Sequence, residues 1–194
     1  MKDNKRALFL DRDGVINVDK DYVYKIEDFI FFPEIFSICR FFIDAGFLII
    51  IVTNQSGIAR NYYTEEDVRV LHAYMLEEFL RKDISITAIY YSPFHPDGTI
   101  PEYTQKSYCR KPEPGMLLEA EKKFGINLAD SYLIGDKETD IEAGIRAGVK
   151  NLCMLPRTES ERKKVGSKAK MFQNHTELLT WLTKEQHHII QEEN

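Results

Sequence analysis

Phe47-Leu48-Ile49-Ile50-Ile51-Val52 is apolar at every position. A strand with one wet face alternates apolar and polar residues, so a run without alternation must be covered on both faces. Ala7 to Leu10 is a shorter run of the same kind. Helical patterns lie between such runs. Pro33 suits the first turn of a helix ending at Ala45, with Gly46 as its stop. Thr64-Glu65-Glu66-Asp67 starts another as a capping box, and Val68, Leu71, Met75 and Phe79 form its core-facing stripe. Ile84 to Tyr91 is β-branched and aromatic and reads as a third strand. Pro114 opens a helix with Leu117, Ala120 and Phe124 inward, closed by Gly125. Tyr132 to Ile134 and Asn151 to Leu155 read as strands flanking a helix from Thr139 to Ala147. Arg157 to Lys170 reads as a solvated helix or loop, and Asn174 or Thr176 caps a last helix with Leu178, Leu179 and Trp181. The alternation predicts an α/β fold: a doubly wound, mostly parallel, Rossmann-like sheet with helices on both faces, in a single domain over residues 1–194.

Ligands of such sheets bind beyond the carboxyl ends of the strands, and the chemistry-bearing residues fall there. Asp11 and Asp13 follow the first strand, two residues apart and ahead of Gly14, which lets the chain turn. Two carboxylates held this close need a cation or a shared proton. The second strand runs into Thr53-Asn54-Gln55-Ser56, whose hydroxyls and amides suit a phosphate. The long loop after the third strand ends in Arg110-Lys111, a planar fork and a point charge for anions. The fourth strand ends in Gly135-Asp136-Lys137, with Asp140 four residues past Asp136. With Asp11, these carboxylates suffice for magnesium, a hard cation that prefers oxygen ligands. Together the strand ends describe a site for phosphoryl transfer.

Net charge is −5, with no basic block in the first 150 residues, which argues against nucleic acid as the partner. No apolar run reaches membrane-spanning length, and the start, Met1 to Arg6, leads into too short an apolar stretch for a signal peptide. Three cysteines give no disulfide framework, so a cytoplasmic protein with reduced thiols is expected. Without an evident large apolar patch, a monomer is expected.

Asp11-x-Asp13-Gly14, Thr53-Asn54, Lys111 and Gly135-Asp136-x-x-x-Asp140 resemble the four motifs of the haloacid dehalogenase superfamily of phosphatases. The longer strings Asp11 to Asn17, Thr53 to Arg60, Cys109 to Leu117 and Gly135 to Lys137 are similar to its heptose-1,7-bisphosphate 7-phosphatase branch. The resemblance spans about residues 6 to 155. It implies a minimal cap made of loops, a small phosphosugar substrate and a two-step displacement in nucleotide-activated heptose biosynthesis. Asp11 would be the nucleophile and form an aspartyl-phosphate. Asp13 would be the general acid and base, starting protonated beside Asp11. Thr53 and Lys111 would clamp the phosphoryl oxygens. Magnesium would be held by Asp11, the backbone carbonyl of Asp13 and Asp136, with Asp140 acting through water. Asp19, Lys20, Asp21, Tyr22, Thr53, Asn54, Gln55, Ser56, Arg110, Lys111 and Lys137 would contact substrate, Arg110 through the phosphate that is not cut.

Two departures from the branch stand out. Its members commonly hold a structural zinc through Cys-x-His and Cys-x-Cys, where this chain has Ser92, Phe94, Ser107 and Cys109. Even with His95 too few ligands remain for a closed tetrahedral site, so no zinc is expected. Packing of Tyr90, Tyr91, Phe94, Tyr103 and Tyr108 with Pro93, Pro96 and Pro101 is expected to hold the loop instead. The other departure is Asp21, where the branch commonly has glycine. Three other readings share parts of the pattern: histidinol-phosphate phosphatase, polynucleotide 3′-phosphatase, and a phospho-acceptor domain that does not hydrolyse. The last is disfavoured by Asp13, and the polynucleotide reading by the acidic charge and the lack of a G-x-x-x-x-G-K-[ST] loop.

Overall fold

A computed structural model describes residues 5–190, with side chains as far as Glu185. Most of the Met1 to Arg6 start lies outside the described residues. The elements are β1 (Arg6–Leu10), α1 (Glu34–Asp44), β2 (Phe47–Asn54), α2 (Glu65–Leu80), β3 (Ala88–Ser92), α3 (Gly115–Phe124), β4 (Tyr132–Gly135), α4 (Glu138–Ala147), β5 (Asn151–Met154), α5 (Glu159–Val165), β6 (Lys170–Met171) and α6 (His175–Ile190). The strands form one sheet in the order β3-β2-β1-β4-β5-β6, every pairing parallel.

Alternate residues of the apolar strands feed two cores, as covering on both faces requires. Leu8, Leu10, Ile49 and Ile51 pack with Ile35, Ile38 and Phe42 of α1, Leu71, Met75 and Phe79 of α2, and Leu178 and Leu182 of α6. Ala7, Phe9, Ile50 and Val52 pack on the other face with Met116, Leu117 and Ala120 of α3 and Ile141 and Ala143 of α4. The stripe read on α2 is fully buried, and each such side chain contributes about 1.5–3 kcal/mol by leaving water. Caps set the helix ends. Thr64 and Asp67 exchange hydrogen bonds at the start of α2, and Gly125 closes α3 with a left-handed φ of 71°. No helix among the described residues is long and apolar enough to cross a membrane.

Three local readings change. The third strand begins at Ala88, not Ile84, because the Ile84 amide bonds the Phe79 carbonyl and closes the end of α2. The Arg157 to Lys170 stretch holds a capped helix, α5, and the first residue of a sixth strand, which at two residues is too short to show a period. Asn174, rather than Thr176, caps α6, accepting from Glu177 N at 2.9 Å.

The strand order reverses between β1 and β4. At that point the loops after both strands diverge and leave a crevice, where doubly wound sheets hold ligands. The loop after β1 is pinned beneath it: His175 at the start of α6 donates to the Val15 carbonyl at 2.7 Å and stacks on Phe32. Loops and two short 3-10 turns connect β1 to α1 and β3 to α3.

Candidate active site

Asp11 leaves β1, its amide bonded to the Ile134 carbonyl of β4 at 3.1 Å, and is buried at the switch point. Asp136 leaves β4, and Asp140 lies in the first turn of α4. These three carboxylates bring one oxygen each within 4.8 Å of the others. Lys111 enters from the opposite side, fully buried. Its Nζ donates to Asp11 Oδ1 at 2.8 Å and to the Val52 carbonyl at 2.8 Å, and sits 2.6 Å from Asp140 Oδ1. It reaches that point because its backbone is stapled to the end of β2: Asn54 Nδ2 donates to the Lys111 carbonyl at 3.0 Å, and Lys111 N donates to Asn54 Oδ1 at 3.1 Å.

Two of the buried carboxylates, Asp11 and Asp140, contact the buried ammonium of Lys111, while Asp136 has Lys137 Nζ 3.8 Å from its Oδ2, and the titration behaviour follows. Burial opposes the Lys111 charge, but Asp11 and Asp140 outweigh it and raise its pKa. Burial pushes Asp11 upward, with Asp140 adding to the push and Lys111 only partly offsetting it. Asp136 is pushed up to about 9 by burial and then by Asp11 and Asp140. Both of its carboxylate oxygens are buried and have no hydrogen-bond partner. Unpartnered buried carboxylate oxygens are costly, and a divalent cation satisfies them. Gly14 makes room for the arrangement: with φ at +88°, it sits where a Cβ would come within 2.2 Å of Asp136 Oδ2. The donor set is all oxygen, which fits a hard dication such as magnesium. Asp140 is the least free of the three. Its Oδ2 accepts from the Asp136 and Lys137 amides at 3.2 and 3.0 Å, and its Oδ1 faces Lys111.

Asp13 corrects one expectation. It was to start protonated beside Asp11, yet its surroundings hold it ionised. Burial pushes its pKa up, but Arg12, Asn17 and Gln55 outweigh that and hold it below the usual carboxylate range. Arg12 Nη2 reaches both carboxylate oxygens at 3.0 and 2.9 Å, Asn17 Nδ2 donates at 3.0 Å and Gln55 Nε2 at 3.1 Å. The chain has already left the strand here: the Ile16 and Asn17 amides fold back onto the Arg12 carbonyl. Arg12 and Asn17 were missed as site residues. The signal was present, because an arginine between two functional aspartates has no place in an apolar core without a carboxylate partner.

A cleft of about 180 Å³ opens above Asp13, lined also by Asp19, Asp21, Tyr22, Asn54, Gln55, Ser56, Tyr63 and Lys137. Most of the expected substrate contacts therefore meet in one place. Several are already engaged. The Asn54 amide is taken by Lys111. The Gln55 Nε2 is shared by Asp13 and Thr53 Oγ1, and its Oε1 accepts from Tyr63 OH at 2.8 Å. Thr53 is buried at the end of β2. Lys20 is not among the cleft's lining residues; it lies exposed, 3.6 Å from Asp28. Arg110 is outside the lining as well. It donates to the Phe94 carbonyl at 3.2 Å and lies with Arg60 beside His95, whose pKa is lowered by burial and by the two guanidiniums; Arg60 Nη2 lies 3.2 Å from His95 Nε2. Asp21 and Tyr22 have φ of 59° and 56°, which explains why a glycine suits position 21.

Three of the four side chains at the branch's zinc positions have other contacts. Ser92 is buried without a partner for its hydroxyl, Phe94 packs on Tyr103, Ser107 accepts from the Cys109 amide, and Cys109 Sγ faces Glu119 at 3.1 Å. The loop is tied down chiefly through its backbone, the Thr99 and Ile100 amides both bonding the Ala59 carbonyl at 2.6 and 3.0 Å. Tyr103 joins the cluster of Ile58, Tyr63 and Val68, but Tyr108, expected to pack, is 56% exposed.

Residues 108–175 match a family model described as HAD-hydrolase-like. The D-glycero-alpha-D-manno-heptose-1,7-bisphosphate 7-phosphatase of Campylobacter jejuni is 47% identical over 176 residues, 91% of this chain and 95% of the relative. The chain belongs to the heptose-bisphosphate phosphatase family of haloacid dehalogenase-like hydrolases. Family membership makes it a phosphoric monoester hydrolase. The D-glycero-beta-D-manno-heptose-1,7-bisphosphate 7-phosphatase of Escherichia coli K12 is 44% identical over 143 residues, 74% of this chain and 75% of that one. A crystal structure of D,D-heptose 1,7-bisphosphate phosphatase from B. bronchiseptica, complexed with magnesium and phosphate, superposes with a TM-score of 0.80. It is 24% identical, covering 93% of this chain and 99% of the other, and so speaks to the phosphatase fold alone.

Proposed function

We propose that this chain removes the 7-phosphate of D-glycero-D-manno-heptose 1,7-bisphosphate through an aspartyl-phosphate on Asp11, in nucleotide-activated heptose biosynthesis. The supporting observation is the buried trio of Asp11, Asp136 and Asp140, with Lys111 on Asp11 and Asp140 and no hydrogen bond to either Asp136 oxygen. Relatives named for this substrate, at up to 47% identity, support the choice of phosphosugar.

Lys111 holds Asp11 Oδ1, which fixes the carboxylate and leaves Oδ2 to attack phosphorus. The bond from phosphorus to the sugar oxygen breaks as the bond to Asp11 forms, and Asp13 protonates the departing alkoxide. Asp13 then takes a proton from the water that attacks the aspartyl-phosphate, releasing phosphate and restoring Asp11. Because Asp13 is ionised in the free site, it takes up a proton from solvent as substrate binds; a phosphate dianion arriving beside it raises its pKa. Asp11, Asp136 and the backbone carbonyl of Asp13 would hold magnesium, with Asp140 through water, and the ion would offset charge on the phosphoryl oxygens. Thr53 and Lys111 clamp those oxygens, Lys111 by giving up its contact with Asp140 or with the Val52 carbonyl as phosphate enters. Lys137, Asp19 to Tyr22 and the 53–56 loop contact the sugar and its phosphates. Arg110, with Arg60 and His95 beside it, receives the phosphate that stays. The unit is the single 1–194 domain, a monomer with free cysteines, working in the cytoplasm without zinc.

Phosphate release measured side by side on the alpha and beta anomers, histidinol phosphate and a 3′-phosphorylated oligonucleotide tests the reading. One heptose anomer should give the highest kcat/KM, and EDTA should abolish it. Histidinol phosphate or the oligonucleotide outpacing both anomers would overturn the substrate; turnover surviving exhaustive chelation would overturn the metal.

A further inference from the structure

The charges lining the cleft pose a problem for an anionic substrate. Asp13, Asp19 and Asp21 face it, against the single ammonium of Lys137. Arg12 cancels Asp13 from behind, through two hydrogen bonds. Asp19 is cancelled from outside the motif-bearing loops. Arg157, two residues past Leu155 at the end of the β5 segment, sends Nη1 onto Asp19 Oδ2 and Nη2 onto the Asp19 carbonyl at 3.3 Å. The same Oδ2 accepts from Lys137 Nζ at 3.2 Å.

The grip also bears on shape. Asp21 and Tyr22 both stand in the left-handed region, a conformation that persists only where surrounding contacts over-determine it. Asp19 supplies one such contact, its Oδ1 accepting from Asp21 N at 2.9 Å. Arg157 fixes the rest of Asp19 by side chain and backbone at once. Its own backbone is set by the α5 capping box, where the Arg157 and Thr158 amides share Glu161 Oε2 at 3.2 and 3.1 Å. A planar guanidinium fork suits this two-point hold; a lysine could supply the charge but not both contacts.

We propose that Arg157 is a positioning residue for substrate binding: by gripping Asp19 it holds the 19–22 loop beside Lys137 and cancels a carboxylate that would repel a phosphosugar. This rests on the functional reading above. It gives α5 a role, since the capped turn aims Arg157 across the cleft's rim.

Steady-state kinetics with magnesium, on the heptose anomer the wild type prefers, tests the proposal with Arg157→Gln, Arg157→Lys and the double variant Asp19→Asn/Arg157→Gln. Binding of inorganic phosphate by calorimetry provides a second readout that needs no turnover. Arg157→Gln should raise KM about tenfold, weaken phosphate binding, and leave kcat within about threefold, as loss of a rim charge does. Arg157→Lys should fall between it and wild type. The double variant should have a KM no higher than that of Arg157→Gln, because Arg157 acts only through Asp19, which Lys137 alone would otherwise hold. A KM and a phosphate affinity within twofold of wild type in Arg157→Gln would overturn the proposal, as would a fall in kcat alone. Should that variant fail to fold, an unchanged KM in Arg157→Lys overturns it equally. A wild type inactive on both anomers would count against the substrate instead, and phosphate affinity alone would then decide the role of Arg157.

Discussion

Asp136→Asn should make the metal-free protein more stable while destroying its activity. Asp136 is completely buried, its oxygens have no hydrogen-bond partner, and burial with Asp11 and Asp140 pushes its pKa up to about 9 from 3.8. Between about pH 4 and 9 the native state therefore holds a proton that the unfolded chain has released. Stability of the metal-free protein falls as pH rises through that window. At pH 7 about three units of that rise are felt, at about 1.4 kcal/mol each, an upper bound of about 4 kcal/mol. The asparagine amide is itself poorly satisfied there, which returns about 1–3 kcal/mol. A net gain of about 1–3 kcal/mol remains, several degrees in melting temperature for a chain of this size. Magnesium offsets most or all of that difference: at a hundred times its dissociation constant it adds about 2.7 kcal/mol to wild type and nothing to the variant. Thermal melts from pH 5 to 8, in EDTA and in magnesium, read both effects, with phosphate release measured alongside. A variant that melts below wild type in EDTA, or gains as much from magnesium, would refute the assignment of Asp136 as an unsatisfied metal ligand.

Three further outcomes are expected. His72 is buried against Arg12 Nη1 at 3.3 Å, and burial, then Arg12, lowers its pKa to about 3. The unfolded chain binds its proton below about 6.5 and the native state does not, so His72 removes stability as pH falls from 6.5 toward 3, by up to about 4–5 kcal/mol. His72→Gln should flatten that part of the acid denaturation curve, and an unchanged slope would contradict the burial argument. Gly14→Ala should cost about 1–2 kcal/mol through its positive φ and weaken magnesium binding by displacing Asp136, both read from melts with and without the ion. Asp13→Asn should lower turnover about a hundredfold or more and favour build-up of phosphoenzyme, seen by rapid quench with labelled substrate; wild-type turnover would remove Asp13 from proton transfer.

The fold was legible because the decisive signals are local. Residues 47 to 52 are apolar throughout, and only a strand between two helix layers satisfies that. Pro33, Thr64 and Gly125 punctuate helices through conformations that short-range chemistry imposes. Strand β6 was not legible, since two paired residues leave no period. Within the site, residue types and strand ends placed Asp11, Lys111, Asp136 and Asp140 together. What sequence could not supply was competition for hydrogen bonds. Asn54 and Gln55 read as substrate donors, yet their amides are spent on Lys111, Thr53 and Asp13. Asp13 was expected to start protonated because Asp11 is near in sequence, whereas a stronger influence on its charge, Arg12, lies between them. Arg157 is 138 positions from the carboxylate it grips, a pairing that only the tertiary fold creates.

The central claim is that Asp11 carries the phosphoryl group. Quenching Asp13→Asn in acid during turnover and reducing with borohydride would turn an acyl phosphate into homoserine, which mass spectrometry can locate. Homoserine at position 11, dependent on both magnesium and the heptose bisphosphate, is the predicted result. Its absence in a variant that still releases phosphate, or its appearance at any other aspartate, would contradict the account.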